Sequence, residues 1–242
     1  MALDEHDNPS HNLDRPHPQI SQNKNVIMNT LTQQEKDDGW KMLFDGKTTE
    51  GWRGYNKNQF PSSGWIVEEG TLMNDGSGGG DIVTDQKYGN FILELDWKIS
   101  KAGNSGIFYR GIEQPGQPIY WSAPEMQVLD NKRHPDANKG KNGNRKAGSL
   151  YDMIPAQPQT TKPAGEWNHV KIVVDNAHVE HWLNGSKVVE YDLWTPEWYA
   201  KVRDSKFKCH PAYGDAHEGL IGLQDHGNKV WYRNIKIKEL KD

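Results

Sequence analysis

The chain has 242 residues, room for one large all-β domain or two small ones. Its net charge of -4, with both signs interspersed, leaves no basic stripe and argues against nucleic acid as a partner. A single cysteine, Cys209, excludes an internal disulfide framework and any multi-cysteine zinc site. Apolar residues are scarce at 34%, but 10 Trp, 9 Tyr and 5 Phe supply enough buried area for a core.

Residues 1–36 are polar, carry Pro9, Pro16 and Pro18, and read as a tail that drapes over the domain or stays disordered. His6, His11 and His17 are too loosely spaced in it to suggest metal ligation. The tail has no apolar stretch of signal-peptide type, and no run of about 18 apolar residues exists anywhere to span a membrane. The domain is expected over 37–242, from "GWKMLFDGKTTEGW" onward. "GWIVEEGTLMN" predicts a hairpin. "GNFILELDWKIS" alternates, with Phe91, Leu93 and Leu95 on one face and Glu94, Asp96 and Lys98 on the other. "NSGIFYRG", "APEMQVLDN" and "GSLYDMI" come next as short strands. The basic, Gly/Asn-rich loop 131–146 between the last two is too long for a turn, and long loops in compact domains are often functional. Asn184-Gly185 marks a two-residue turn inside "WNHVKIVVDNAHVEHWLNGSKVVEYD". Helical signals are confined to "TQQEKDDGW" and to "TPEWYAKVRDS", where Thr195 caps and Pro196 opens a helix. The closing stretch "GLIGLQDHGNKVWYRNIKIKEL" reads as a hairpin around Gly227-Asn228. Many short strands with turn signals about every ten residues predict an all-β sandwich or jelly roll.

Seven segments in this order, "GWKMLFDGKTTEGW", "NSGIFYRG", "PEMQVLDN", "AGSLYDMIPA", "GEWNHVKIVV", "VEHWLNG" and the closing stretch, resemble the 3-keto-disaccharide hydrolase domain family. That family was long catalogued as a domain of unknown function, and provisionally as a glycosyl hydrolase, of gut Bacteroidetes. The resemblance spans about 37–241. It implies a concanavalin-like jelly roll of two packed antiparallel sheets, one of them curved so that its concave face holds a sugar. It also implies a periplasmic or cell-surface protein, usually exported behind a leader that this sequence does not show.

On a two-layer sandwich, side chains alternate between the dry interior and the outer face. In "GLIGLQDHG", Ile221 and Leu223 are then interior, while Gly222, Gln224 and His226 share the hollow and Asp225 turns toward the loops. By the same parity Met126 and Val128 are interior and Glu125 and Gln127 face out; Ile107 and Tyr109 are interior and Gly106, Phe108 and Arg110 face out. Tyr151 can point either way. The candidate catalytic residues are His226 and Glu125. The candidate sugar-binding residues are Arg110, Gln127, Gln224, Lys146, Tyr151 and the platform Trp121. His181, in step with Val179 and Leu183, reads as a satisfied core histidine, and His169 as edge decoration. His210 and His217 lie in a loop that can edge the hollow. No HExxH, EF-hand, phosphate-loop or nucleophile-elbow motif is present, so no metal site or cofactor is assigned; a divalent ion is neither required nor excluded.

An ordinary glycosidase needs two facing carboxyl groups. The hollow offers one clear carboxylate, Glu125, with Asp130 and Asp225 as weaker seconds. A sugar already oxidised at C3, the substrate class the family implies, makes different demands. Its C2 hydrogen is acidic, so one base, donors for an enolate oxygen and one acid for the C1 leaving group suffice. His226, whose side-chain type titrates near neutral pH, and Glu125 are expected to divide the base and acid roles. The alternatives are a non-catalytic, lectin-like sugar-binding module and a conventional glycoside hydrolase. The oligomeric state is not legible.

Overall fold

The computed structural model describes residues 28–241. His6, His11, His17 and most of the predicted tail lie outside them. In chain order the strands are β1 (Trp40–Met42), β2 (Trp52–Gly54), β3 (Trp65–Glu68), β4 (Thr71–Asn74), β5 (Ile82–Tyr88), β6 (Phe91–Ile99) and β7 (Asn104–Gly111). They continue with β8 (Glu125–Leu129), β9 (Asn168–Asp175), β10 (His178–Leu183), β11 (Ser186–Asp192), β12 (Gly219–Leu223) and β13 (Val230–Glu239). Two antiparallel sheets result. The larger runs β11-β10-β9-β6-β13-β4-β3, with β1 also on β13; the smaller runs β2-β5-β12-β7-β8. This is the jelly-roll sandwich that the strand spacing predicts.

The alternation in β6 decides where the core sits. Phe91, Leu93, Leu95, Trp97 and Ile99 are buried and the residues between them are not. From the smaller sheet Ile82, Ile107, Tyr109, Met126, Val128, Ile221 and Leu223 join them in one cluster. Each fully buried side chain of this size contributes roughly 1.5–3 kcal/mol of hydrophobic stabilisation. The outer face of the smaller sheet is not bare. Val83, Phe108 and Leu220 form a second apolar cluster there with Ile119 and Ala123. Ile119 belongs to the 3₁₀ turn Ile119–Trp121, and Ala123 stands two residues beyond its end. A cavity whose lining includes Tyr120, which packs on this patch, opens beside it.

Three expectations are corrected or refined. The closing stretch is not a hairpin: β12 pairs with β5 and β7, whereas β13 pairs with β1, β4 and β6. The chain crosses from one layer to the other at Gln224–Lys229. Two alternating strands around a Gly-Asn turn fit either geometry, because both sheets bury one face. Second, the end of the predicted tail is fastened to the domain. Asn29 and Asn234 exchange two backbone-to-side-chain hydrogen bonds of 2.8 Å each, and Glu35 pairs with Lys236. Thr32 caps helix α1 (Gln33–Asp37) in a capping box with Glu35. Helix α2 (Pro196–Arg203) starts, as predicted, with Thr195 accepting from the Trp198 amide.

The third concerns Arg110. Leu220 pairs with Gly111 but Gly222 pairs with Phe108, so β7 carries one extra residue at this point. Arg110 takes up the bulge with φ of 51°. A bulge breaks the period of two, and the parity that put Arg110 in the hollow fails there. Its guanidinium is instead buried, donating to the Gly89 carbonyl and Asn90 Oδ1 and lying 5.2 Å from the Trp194 ring centroid.

Candidate active site

The site is built from one strand pair and the loops at its end. Glu125 pairs with Phe108 and Gln127 with Gly106 across β7 and β8, so the two side chains share the outer face. On the other side of β8 the segment 148–151 adds short pairings. Gly148 N–H donates to the Gln127 carbonyl (2.8 Å), Gln127 N–H to the Ser149 carbonyl (3.1 Å) and Tyr151 N–H to the Glu125 carbonyl (3.0 Å). β8 is therefore held on both edges. Beyond β12, Gln224 N–H donates to the Gly106 carbonyl at 3.0 Å, and Ser105 Oγ donates to the Gln224 carbonyl at 2.7 Å. These bonds aim Gln224 and His226 at the same end of the sheet.

There they line a cavity of about 340 Å³ with Asp81, Asn104, Tyr120, Trp121, Glu125, Gln127, Tyr151, Lys206 and Asp225. Six of the eight residues singled out from sequence thus meet at one place: His226, Glu125, Gln127, Gln224, Tyr151 and Trp121. Two do not. Arg110 is diverted by its bulge, and Lys146 lies outside the lining, its backbone N–H closing a turn onto the Gly143 carbonyl. Asp130, a weak second carboxylate, is used elsewhere: it accepts from the Ala102 and Lys132 amides and pairs with Arg133.

Glu125 dominates the electrostatics. It is 3% exposed, and its carboxyl makes no hydrogen bond to another described residue. Burial pushes it up to about 8; Lys206 pulls the other way, and Asp81 and Asp136 add to the rise. At neutral pH it is mostly a neutral acid. Its place depends on Gly106, where an added Cβ would lie 2.2 Å from Glu125 Oε1. Asp81 is a second carboxyl in the cavity. Burial pushes it up to about 6, with the Asp225 charge assisting and the Asp225 N–H, which donates to Asp81 Oδ1 at 2.9 Å, opposing. Asp225 is a clamp as well as lining: Oδ2 accepts from Gly80 N–H and Oδ1 from Gly227 N–H. His226 is at the exposed rim, with the His134 ring edge-on at 5.9 Å between centroids.

The amides are poised for a ligand. Gln127 Oε1 accepts from the Val128 N–H, which fixes the amide's orientation, and the buried Nε2 has no partner. Buried Asn104 Oδ1 is also unpartnered. Trp121 stacks on His210 with centroids 3.5 Å apart and planes within 7°, so His210 edges the hollow by supporting the platform. His217 stacks instead on Trp194. The long loop 131–146 packs behind the lining residues, with Asp136, Ala137 and Asn144 buried. Asp136 accepts from Tyr151 OH at 2.7 Å and pairs with Arg145, which fixes the tyrosine that sequence parity leaves open. His181 is the satisfied core histidine expected, bonded to Tyr109 OH and the Gly148 carbonyl.

Among the described residues one set of three metal-type ligands converges, His178, Glu180 and Glu190, with atoms within 4.8 Å of one another. It lies on β10 and β11 of the other sheet, and Lys187 already bridges both glutamates at 3.0 and 2.8 Å. An ammonium occupies the position a cation would take.

Comparison with known proteins places the chain in a family. Residues 39–238 match the 3-keto-alpha-glucoside-1,2-lyase-like domain. The chain belongs to that family. A 3-keto-disaccharide hydrolase of Bacteroides thetaiotaomicron is 47% identical over 90% of this chain and 84% of its own. A crystal structure of a protein from Parabacteroides distasonis ATCC 8503, provisionally named a glycosyl hydrolase, superposes with a TM-score of 0.81 at 34% identity, covering 89% of this chain and all of that one. A Bacillus subtilis protein with a galectin-like fold, 14% identical, superposes with a TM-score of 0.50 over 88% of this chain and 95% of its own, a likeness of fold alone. Sequence reasoning misses four lining residues of this family member, Asp81, Asn104, Tyr120 and Lys206, and Asp225, which parity turns toward the loops as a weaker second carboxylate, joins them in the lining. Asp81 stands in a glycine-rich loop that weakly resembles a calcium loop, and Lys206 stands in a segment with no motif.

Proposed function

We propose that this protein cleaves the glycosidic bond of 3-keto-glycosides by elimination followed by hydration. It is a carbohydrate-active enzyme whose substrate is a sugar already oxidised at C3. His226 removes the C2 proton, and the electron pair moves onto the C3 carbonyl oxygen as an enolate. The enolate collapses, the C1–O bond breaks, and the leaving oxygen takes the proton of Glu125. Water then adds at C1 and a proton returns to C2, so the net change is hydrolysis. Gln127, Gln224 and Asn104 hold hydroxyls, Trp121 carries the C–H face of the ring, and Tyr151 closes the wall. By family resemblance the enzyme works in the periplasm or at the cell surface; among the described residues no helix is long and apolar enough to cross a membrane.

The observation that carries this reading is the buried, unpartnered and raised carboxyl of Glu125 at the floor of the cavity. A lectin-like module has no use for an acid kept protonated near neutral pH, whereas a leaving group does. One observation favours a second reading. Asp81 gives the cavity a second raised carboxyl, and a pair of carboxyls is what a conventional glycosidase requires. Incubation with a 3-keto-glucoside and with its unoxidised parent separates the readings. Cleavage of the ketone alone supports elimination. Cleavage of the parent overturns it in favour of the carboxyl pair, and cleavage of neither leaves a binding module.

A further inference from the structure

Elimination from a ketone concentrates negative charge on the C3 oxygen, and a positive group must meet it. The two cations expected from sequence, Arg110 and Lys146, do not line the cavity. Among the described residues Lys206 is the one lysine or arginine that does. On the reading that the substrate is a 3-keto-glycoside, we propose that Lys206 is the catalytic residue that faces the ketone oxygen and stabilises the enolate, with Gln127 Nε2 as the second donor.

Three observations support the assignment. Lys206 forms no ion pair with a described carboxylate, so its charge is not spent within the protein. Its ammonium lies instead over aromatic rings, 4.2 Å from the Tyr151 centroid, 5.1 Å from Phe207 and 5.4 Å from Tyr120. Ring faces favour the charged amine without neutralising it, which suits an electrostatic role over a covalent one. Its backbone is also anchored. Lys206 N–H donates to Asp152 Oδ2 at 2.9 Å, Asp152 Oδ1 is bound to Arg145 Nε at 2.6 Å, and neighbouring Asp204 pairs with Lys141. The charge is thus in position before substrate arrives, the condition under which a fixed donor is most effective. Lys206 is exposed at the mouth of the cavity; desolvation of its amine by the surrounding groups lowers its pKa, and an ionised Glu125 opposes that shift, so the two groups that bracket the reacting atoms are electrostatically linked. Gln127 completes the cradle because its acceptor end is already taken by Val128.

The test uses the full chain, a 4-nitrophenyl 3-keto-glucoside and the variants Lys206→Gln, Lys206→Met and Lys206→Arg. Loss of one charge-stabilising donor is expected to lower kcat by about 10²–10³-fold in Gln and Met, as for other oxyanion donors, with KM changed less than about threefold and solvent exchange of the C2 hydrogen slowed in parallel. Arginine is expected to recover a substantial part of the loss. A rise in KM at constant kcat, or a kcat within about threefold of wild type, would overturn the assignment, as would an arginine variant no better than glutamine. Methionine preserves the packing over Tyr151, so a loss shared by Gln and Met is not a folding effect. A wild type that leaves the keto-glucoside intact overturns the reaction itself; an active wild type with unaffected variants overturns only the role of Lys206.

Discussion

Gly106→Ala is the smallest change that reaches the proposed acid. An alanine methyl at 106 would lie 2.2 Å from Glu125 Oε1, 2.7 Å from Cδ and 2.9 Å from Cγ. Carbon atoms in good contact stand about 3.5–4.0 Å apart, so the side chain must move by more than about 1 Å. The backbone of Glu125 cannot follow, since β7 pairs with it on one side and Tyr151 N–H holds its carbonyl on the other. Only the carboxyl can swing. Overpacking of this kind costs about 1–3 kcal/mol, offset by about 0.4–1 kcal/mol from the stiffer unfolded chain. The melting temperature should therefore fall by only a few degrees. Activity should fall far more, by about 10²–10⁴-fold, because a displaced general acid forfeits its contribution. Initial rates on the keto-glucoside, with Gly89→Ala as a control whose Cβ meets nothing closer than 3.5 Å, make the comparison. Gly106→Ala with wild-type kcat would refute the claim that the carboxyl over this glycine does chemistry.

Other expectations rest on the same geometry. Activity should decline as pH rises through about 8, where Glu125 loses its proton, and Glu125→Gln should remove that limb from the residual rate. The stability sign is opposite to that of an ion-paired acid. With the folded pKa above the unfolded one, the native state binds the extra proton, so stability is lost as pH rises from about 4.5 to about 8. Glu125→Gln should flatten that slope in thermal melts at pH 5 and pH 8, by at most roughly 5 kcal/mol. Arg110→Met should cost about 1–3 kcal/mol of stability, since it leaves the Gly89 carbonyl without its donor, while KM for sugar stays at the wild-type value; a raised KM with normal stability would return Arg110 to the site. Trp121→Ala should raise KM about fivefold, the equivalent of about 1 kcal/mol for one aromatic platform, with little change in kcat.

How much is legible in the sequence depends on whether a strand keeps its period. β6 and β8 are regular, and alternation alone puts Met126 and Val128 inside with Glu125 and Gln127 outside. Arg110 sits in a bulge, which no parity argument foresees, and alternation misplaces it for that reason. The closing stretch shows the same limit at larger scale, since alternation tells which residues are buried but not which sheet buries them. Gln224 and His226 still reach the hollow as expected, because their orientation depends on β12 and not on where β13 goes. Tyr151 requires its partner Asp136, and composition marks the loop carrying Asp136 only as long and polar, without showing that Asp136, Ala137 and Asn144 pack inside. Asp81 and Lys206 reach the cavity from loops distant in sequence, and only the fold brings them there.

Isotope placement during turnover probes the reaction most directly. Cleavage of a 3-keto-glucoside in D₂O, with mass and NMR analysis of the released sugar against an enzyme-free sample of the same 3-keto sugar, reports on C2. Elimination and hydration should leave one deuterium at C2, bound there by enzyme turnover. Release of a sugar that keeps its original C2 hydrogen, together with no rate difference for a C2-deuterated substrate, would mean that the bond was broken by direct displacement, and the base role of His226 would be wrong.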